Sequence, residues 1–214
     1  MTTRRLFLWG MLALSGAAQC AEPAVEFFRA VEVDDARAVG ALLGRGFDPN
    51  TLNPKGQLGL YVALRDGSPK VAQALIEHPQ TRTDATNTSD ETPLMMAALR
   101  GNAEATRALL DRGAKLNRAG WTPLHYAASG PAIGVLRLLL DRGAEMEARS
   151  PNGTTALMMA ARYGDENSVD LLLERGAEVR STNVQGLNAA DFAALAGRDR
   201  LAARLRSRAA ALGR

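Results

Sequence analysis

The chain contains few of the side chains that carry out acid–base or metal chemistry. It has 2 histidines and 1 cysteine in 214 residues. Two histidines are too few for the usual multi-histidine metal site, and one cysteine excludes a disulfide framework and a thiolate-rich metal centre. We expect His78, in the segment EHPQ, to cap a helix end, and His125, in the segment TPLH, to have a structural role. The sequence therefore predicts neither a metal ion nor another cofactor.

Adjacent carboxylates, which can act as a general acid and base, occur at Asp34-Asp35 and at Asp165-Glu166. Both pairs fall where a helix is expected to begin, and carboxylates at that position complement the helix dipole. The sequence contains no phosphate-binding loop, no GxSxG and no HExxH motif. We therefore predict no catalytic residue and no enzyme activity. The alternative is a small hydrolase that uses scattered carboxylates.

The charges of the chain are unevenly distributed. There are 26 Lys and Arg against 23 Asp and Glu, a formal net charge of +3. Residues 1–20 contain two arginines and no acid, and residues 187–214 contain six arginines and two aspartates. The intervening residues 21–186 hold 18 basic and 21 acidic groups, so their net charge is −3. Because a slightly acidic body with a basic tail does not form a groove for phosphates, we expect no nucleic-acid partner.

Residues 1–20 have the composition of an export signal peptide. A short basic start precedes the apolar run LFLWGMLAL at 6–14, and small residues follow it. Nine apolar residues are too few for a membrane-spanning helix, which needs about 20 residues, so an uncleaved anchor is the weaker alternative. Cleavage after Ala18 or after Cys20 would satisfy the requirement for a small residue. We therefore expect a periplasmic protein with no membrane span after cleavage.

The route of export stays open between two pathways. Arg4 and Arg5 directly precede the apolar run, which resembles the twin-arginine motif, but paired basic residues also occur in ordinary Sec signals. Cys20 could instead carry a lipid anchor. Gln19 speaks against this alternative, since it stands where a small residue should precede a lipid-bearing cysteine.

The rest of the chain repeats itself with a period of 33 residues. One recurring block is RALLDRGA at 107–114, RLLLDRGA at 137–144 and DLLLERGA at 170–177; the other is TPLMMAALRGN from Thr92, TPLHYAASGPA from Thr122 and TALMMAARYGD from Thr155. Each unit predicts two short helices, the first capped by threonine and the second ended by the glycine of RGA. A helix pair of this size cannot bury its apolar face alone, so the copies must stack.

The segments TPLHYAA and RLLLDRGA closely resemble the ankyrin repeat, and the resemblance covers about residues 24–214. It implies an all-α solenoid of about six stacked helix–turn–helix units with hairpin-like fingers, including degenerate N- and C-terminal caps. The predicted domains are thus a signal peptide at 1–20 and an ankyrin repeat domain at 21–214. In the family, the histidine of TPLH connects neighbouring loops. We expect this role for His125, and packing in its place at Met95 and Met158.

The resemblance also implies which residues contact a partner protein, namely those beside the finger glycine and those after the Ala-Ala pair. The predicted partner-binding residues are Leu99, Arg100, Arg118, Trp121, Arg162, Tyr163, Arg65 and Asp66, with Lys55, Gln57, Glu91, Ser129, Asn152, Thr154 and Gln185 at further such positions. Large aromatic and arginine side chains dominate binding hot spots, which favours the central set around Trp121, Arg162 and Tyr163.

One finger is shorter than the others. Gly113 and Gly143 are 30 residues apart, whereas Gly143 and Gly176 are 33 apart, and the three missing residues fall at 114–120. We expect a notch in the row of fingers with Trp121 at its base. Trp121 either fills this gap or contacts the partner. Its neighbours Met95, Met96, Tyr126, Met158 and Met159 are interpreted as packing between helices.

The last predicted helix carries Arg198, Arg200, Arg204, Arg206 and Arg208, which we interpret as the solvated face of an end cap. Contact of these arginines with acidic lipid or an acidic partner is the alternative. Together, these patterns favour a monomeric, non-enzymatic binding module of the bacterial cell envelope that holds a protein partner on its concave face. The resemblance adds stress protection as a possible role, and neutralisation of a toxic effector as an immunity protein as the alternative. A third possibility is docking to a membrane surface through the arginine-rich helix.

Overall fold

A computed structural model describes residues 15–212, with the side chains described from Glu22 onward. This part of the chain forms twelve helices and no β-strand. They are α1 (Ser15–Glu32), α2 (Ala36–Gly44), α3 (Gly59–Asp66), α4 (Pro69–Glu77), α5 (Pro93–Leu99), α6 (Ala103–Asp111), α7 (Pro123–Ser129), α8 (Ile133–Asp141), α9 (Ala156–Tyr163), α10 (Glu166–Glu174), α11 (Ala189–Leu195) and α12 (Asp199–Ala211). The predicted all-α solenoid of six helix pairs is confirmed.

The first fourteen residues of the predicted export signal lie outside the described residues. Helix α1 begins at Ser15, inside the last part of that predicted signal, and continues to Glu32. In the described part of the chain, no helix is both long enough and apolar enough to cross a membrane. The boundary at residues 20 and 21 stays a prediction.

The helix ends follow from the local sequence. The hydroxyl oxygens of Thr92 and Thr155 accept hydrogen bonds from the backbone N–H groups of Met95 and Met158, at 3.2 and 3.4 Å. Asp165 caps α10 in the same way by accepting from Ser168 N–H at 2.8 Å. One carboxylate of each predicted pair, Asp35 and Asp165, therefore caps its helix.

The helices form an inner and an outer row. The inner helices α3, α5, α7, α9 and α11 pack on one another in sequence order, and α4, α6, α8 and α10 form the outer row behind them. Alanine pairs on the inner helices, such as Ala127-Ala128, are fully buried and permit close approach. Leucines of the outer helices, such as Leu139 and Leu172, fill the space between the rows. Their burial favours stacking by about 25 cal/mol per Å² of apolar area.

Side chains of neighbouring repeats also bond to one another along both edges of the stack. On the outer row, Arg142 pairs with Asp111 at 3.1 Å and Arg175 pairs with Asp141 at 2.8 Å. At the bases of the fingers, Asn117 Oδ1 accepts from the backbone N–H of Glu145 at 2.9 Å. The recurring DRGA segment thus supplies a carboxylate to the next repeat and an arginine to the preceding one.

His125 connects two repeats as predicted. Its Nδ1 lies 2.9 Å from the hydroxyl of Thr122, and its Nε2 lies 2.9 Å from the carbonyl oxygen of Thr154 in the next finger. Burial holds the pKa of His125 below its usual value, so the ring is neutral at pH 7. Met95 and Met158 replace this side chain with a thioether sulfur that lies 3.4 Å from the threonine N–H of its own repeat. Within the described part of the chain, neither methionine reaches the next finger.

His78 lies at the end of α4, as expected, but its ring does not cap the helix. The backbone N–H of His78 bonds to the carbonyl oxygens of Ala74 and Leu75, while its ring Nδ1 is buried without a partner. Arg112 supplies the side-chain cap instead, donating to the carbonyl oxygens of Ile76 and His78.

The last arginines form a mainly solvated face, since Arg200, Arg204, Arg206 and Arg208 are exposed, and Arg198 is the half-buried exception. Arg198 donates from Nη1 to the carbonyl oxygens of Ala160, Ala161 and Gly164 at 2.8–3.1 Å, at the carboxyl end of α9. Three exposed arginines also contact earlier helices: Arg204 pairs with Asp170 at 2.9 Å, Arg206 lies 3.7 Å from Asp191, and Arg208 donates to the carbonyl oxygen of Leu173. Arg204 and Arg208 extend to the preceding repeat because an arginine side chain is long, whereas Arg206 contacts α11 of its own repeat.

Replacing Arg198 with alanine is expected to lower the free energy of unfolding by about 1.5–3 kcal/mol, the usual range for hydrogen bonds to a charged group. Urea denaturation measures this loss, and hydrogen exchange should show faster opening of α11 and α12. The matched control is Arg200→Ala, since exposed Arg200 makes no side-chain bond in the part of the chain described; its cost should stay within about 0.5 kcal/mol. Equal costs for the two variants would contradict the capping role of Arg198.

Candidate protein-binding site

Three inner helices, α5, α7 and α9, and the finger residue Trp121 build an apolar pocket in the middle of the solenoid. It has a volume of about 230 Å³ and is lined by Leu99, Trp121, Tyr126, Ser129, Met159 and Tyr163. We call it the central pocket. Leu99 ends α5, Ser129 ends α7 and Tyr163 ends α9, so the pocket forms where successive inner helices stop at the same level. The repeat spacing thus aligns side chains that are about thirty residues apart in sequence.

Trp121 packs against neighbouring rings and also lines the central pocket, and its contact with a partner stays a prediction. Its ring packs edge-on against His125, with ring centres 5.3 Å apart, and against Tyr126, with ring centres 6.5 Å apart. Its half-buried side chain also lines the central pocket. Tyr126 and Met159, which the sequence analysis assigns to packing between helices, line the pocket as well. The side chains that pack the inner row therefore also form the pocket wall.

Arg162 and Tyr163 form one stacked unit at the end of α9. The guanidinium carbon of Arg162 lies 5.2 Å from the centre of the Tyr163 ring and 5.9 Å from that of Phe192. These distances are typical of cation–π contacts. The Tyr163 side chain is nevertheless 59% exposed, which is unusual for a large aromatic residue in a stable core. The unit is held in place on one side and open to solvent on the other.

A carboxylate connects three repeats behind the pocket. Glu91 accepts hydrogen bonds from the hydroxyls of Tyr61 at 2.6 Å and Tyr126 at 2.9 Å, and from the amide of Asn87 at 2.9 Å. Burial raises the pKa of both tyrosines, and the bond to Glu91 raises it further. Burial acts to raise the pKa of Glu91 too, but the three hydrogen bonds outweigh it and the net pKa is lowered. This network holds the Tyr126 wall of the pocket in position.

The lowered pKa of Glu91 predicts that the network contributes stability at neutral pH. Its carboxyl takes up a proton at a lower pH in the folded state than in the unfolded state, so this stability is lost as the pH falls below the usual glutamate pKa of about 4.5. Urea denaturation across this range should show a smaller acid loss in Glu91→Gln than in the wild type. Exposed Glu174, which has no ion pair in the described residues, gives the control Glu174→Gln. An unchanged acid loss in Glu91→Gln would contradict the role of the network.

The other predicted residues lie outside the central pocket. Arg65 and Asp66 pair with each other at 2.6 Å at the end of α3, and Arg65 also donates to Gln57 at 3.0 Å. Arg118 extends to the preceding finger, where Nη2 lies 2.8 Å from both carboxylate oxygens of Asp90. Of the eight predicted residues, three line the pocket, Arg100 and Arg162 adjoin it in sequence, and Arg65, Asp66 and Arg118 do not contribute to its wall.

The shortened finger differs from its neighbours in its backbone. Four fingers are closed by a hydrogen bond such as that from Ser150 N–H to the Thr154 carbonyl at 3.0 Å, and no such bond closes 114–120 in the described residues. In this finger the side chain of Arg118 bonds instead to Asp90 of the preceding finger. Asp90 itself has a φ of 60° at a position where the other fingers have glycine, as at Gly153 with 77°. An L-residue in this left-handed region costs about 1–2 kcal/mol, and its carboxylate holds Arg118 in return.

The sequence does not predict the Tyr61–Glu91–Tyr126 network as a unit. It predicts Glu91 only as a position beside a finger turn and Tyr126 only as packing, and it gives no role for Tyr61. One feature of the sequence points to it: Glu91 directly precedes Thr92, which caps α5, so Glu91 lies next to the inner helices. No group of carboxylate, histidine or cysteine side chains that could hold a metal ion occurs in residues 22–212.

Stacked pairs of antiparallel helices joined by fingers define the chain as a helical repeat protein. A family model described as "Ankyrin repeats (3 copies)" matches residues 27–119, 80–150 and 132–211. The chain belongs to the ankyrin repeat family. It is also 31% identical over 86 residues to the transient receptor potential cation channel subfamily A member 1 of Homo sapiens, a match over 40% of this chain and 8% of that protein. The chain thus spans only a small part of that relative's length. Ankyrin repeats generally mediate protein–protein interaction.

Proposed function

We propose that this protein is a non-enzymatic binding module that holds a partner protein on its concave face, centred on the central pocket. One observation carries the proposal. The pocket combines an apolar wall with three aromatic side chains, and Tyr163, at the end of α9, stays 59% exposed. An open aromatic cluster surrounded by polar groups is the usual composition of a binding hot spot. The positions implied by the family contribute Leu99, Trp121 and Tyr163 to this cluster.

The location that we propose is the bacterial cell envelope, with export to the periplasm. The basic start and apolar run of residues 1–20 support it. Within the envelope, capture of a partner serves stress protection or, as the alternative, neutralises a toxic effector. Docking to lipid through α12 has less support, because Arg204 and Arg208 bond to the preceding repeat. Cell fractionation of the full chain, with Arg4→Lys/Arg5→Lys as the test of the twin-arginine route, checks the location and route.

Comparative capture tests the binding function. The tagged protein without residues 1–20 is used to recover proteins from a periplasmic extract, and recovery is quantified for the wild type, Tyr163→Ala and Arg137→Ala. Arg137 is exposed on outer helix α8, away from the concave face, and is the matched control. A specific partner should be recovered by the wild type and by Arg137→Ala, and be depleted with Tyr163→Ala. Equal recovery by all three proteins would overturn the assignment of the binding face.

A further inference from the structure

The carboxylates near the central pocket are already matched by partners of their own. Asp66 pairs with Arg65 at 2.6 Å, and Asp90 pairs with Arg118 at 2.8 Å. Glu91 accepts three hydrogen bonds at one side of the pocket, including one from Tyr126. None of these groups is therefore left to attract a cation from a partner.

The two arginines that adjoin the pocket form no ion pair in the described residues, and the nearby Asp66, on which the charge of Arg100 also acts, is paired with Arg65. Arg100 follows the pocket residue Leu99 and is exposed, and Arg162 precedes the pocket residue Tyr163. Among residues 22–212, neither guanidinium has an ion pair or a side-chain hydrogen bond. Arg162 is also fixed in orientation because its guanidinium lies over the rings of Tyr163 and Phe192. A stacked guanidinium keeps its N–H edges available, and those edges fit a carboxylate.

The size of the pocket limits what can fill it. A volume of about 230 Å³ is less than the approximately 300–1,000 Å³ typical of small-molecule sites. The pocket fits an apolar side chain presented by a larger partner, in the way that an interface anchor fills a cleft. Three aromatic rings alone would also suit a cation, but two unmatched arginines beside them disfavour one.

We infer that the partner presents an acidic segment in which an aromatic or large aliphatic side chain is flanked by aspartate or glutamate. The apolar side chain fills the central pocket, and the flanking carboxylates bond to Arg100 and Arg162. This inference rests on the proposed function and specifies the chemistry of its partner. Because Arg100 is exposed, the charged part of the interaction is screened by salt, whereas the apolar part is not.

Selection from a phage-displayed library of random 12-residue peptides tests the inference without a known partner. The wild type should enrich peptides with Asp or Glu beside Phe, Trp, Leu or Met. For one enriched peptide, Arg100→Gln/Arg162→Gln should weaken binding by about tenfold, since both ion pairs with the peptide are lost. Fluorescence anisotropy at two salt concentrations measures this change. The matched control is Arg107→Gln/Arg137→Gln, two exposed arginines of the outer helices α6 and α8.

A charge reversal sharpens the test. Arg100→Glu/Arg162→Glu should switch the enriched peptides from acidic to basic and keep the apolar residue, whereas Arg107→Glu/Arg137→Glu should keep the acidic preference. Enrichment of Lys-rich or Arg-rich peptides by the wild type would show a cationic occupant and overturn the inference, as would an unchanged preference after reversal. Failure to enrich any peptide would also overturn it. Comparative capture with Tyr163→Ala would still report on the binding function itself, so the two failures are distinguishable.

Discussion

Replacing Tyr163 with alanine is expected to weaken the binding of the captured partner by at least about 30-fold, or about 2 kcal/mol. The ring forms one wall of the central pocket, and its loss also removes the surface on which Arg162 rests. Because Tyr163 is 59% exposed, its removal should change the free energy of unfolding by only about 0.5 kcal/mol. Isothermal titration calorimetry measures the affinity, and urea denaturation measures the stability.

The variant Trp121→Ala should be compared with Tyr163→Ala, because the two are expected to differ in their effect on stability. Trp121 packs against His125 and Tyr126, so its truncation should reduce both binding and stability. Tyr163→Ala should reduce binding alone. An affinity for Tyr163→Ala within threefold of that of Arg137→Ala would contradict the placement of the partner in the central pocket.

His125→Ala is expected to have the largest effect on stability, with a loss of about 3–5 kcal/mol. The side chain is fully buried, so its removal leaves a cavity as well as an unpaired carbonyl oxygen at Thr154. Denaturation by urea measures the loss at pH 7. Since the pKa of His125 is lowered by burial, its contribution is present at neutral pH and decreases as the pH falls below about 6.5.

Two other repeats of the chain, which have methionine at this position, provide a matched control for this prediction. His125→Met introduces the side chain that Met95 and Met158 place at the same position. This variant keeps the volume filled and loses only the bond to the next finger, so its cost should be about 1–2 kcal/mol. If His125→Met costs as much as His125→Ala, the lost bond to Thr154, which both variants share, accounts for the cost and the cavity does not.

The repeat period made most of the fold predictable. Helix ends depend on local backbone chemistry, so they can be predicted from single residues such as Thr92, Pro93 and the glycines of RGA. The same period aligned Leu99, Trp121 and Tyr163, because side chains at equivalent positions of a stack lie beside one another.

The contacts of long side chains between repeats were not predictable in this way. Arg198 and Arg118 are the same type of residue at surface positions, yet one caps α9 and the other holds Asp90. Which acceptor such a side chain reaches depends on the distance between neighbouring repeats. A period fixes the order of the repeats but not that distance. Glu91 was missed for the same reason, since its two tyrosines come from the repeats on either side.

Photo-crosslinking in living cells tests the central claim most directly. The crosslinking amino acid p-benzoylphenylalanine replaces Tyr163 in one strain and Arg137 in another, and the crosslinked products are compared by mass. If the concave face holds the partner, the Tyr163 position should give one dominant crosslinked protein and the Arg137 position should not. The same product at both positions, or a product at Arg137 alone, would contradict binding through the concave face.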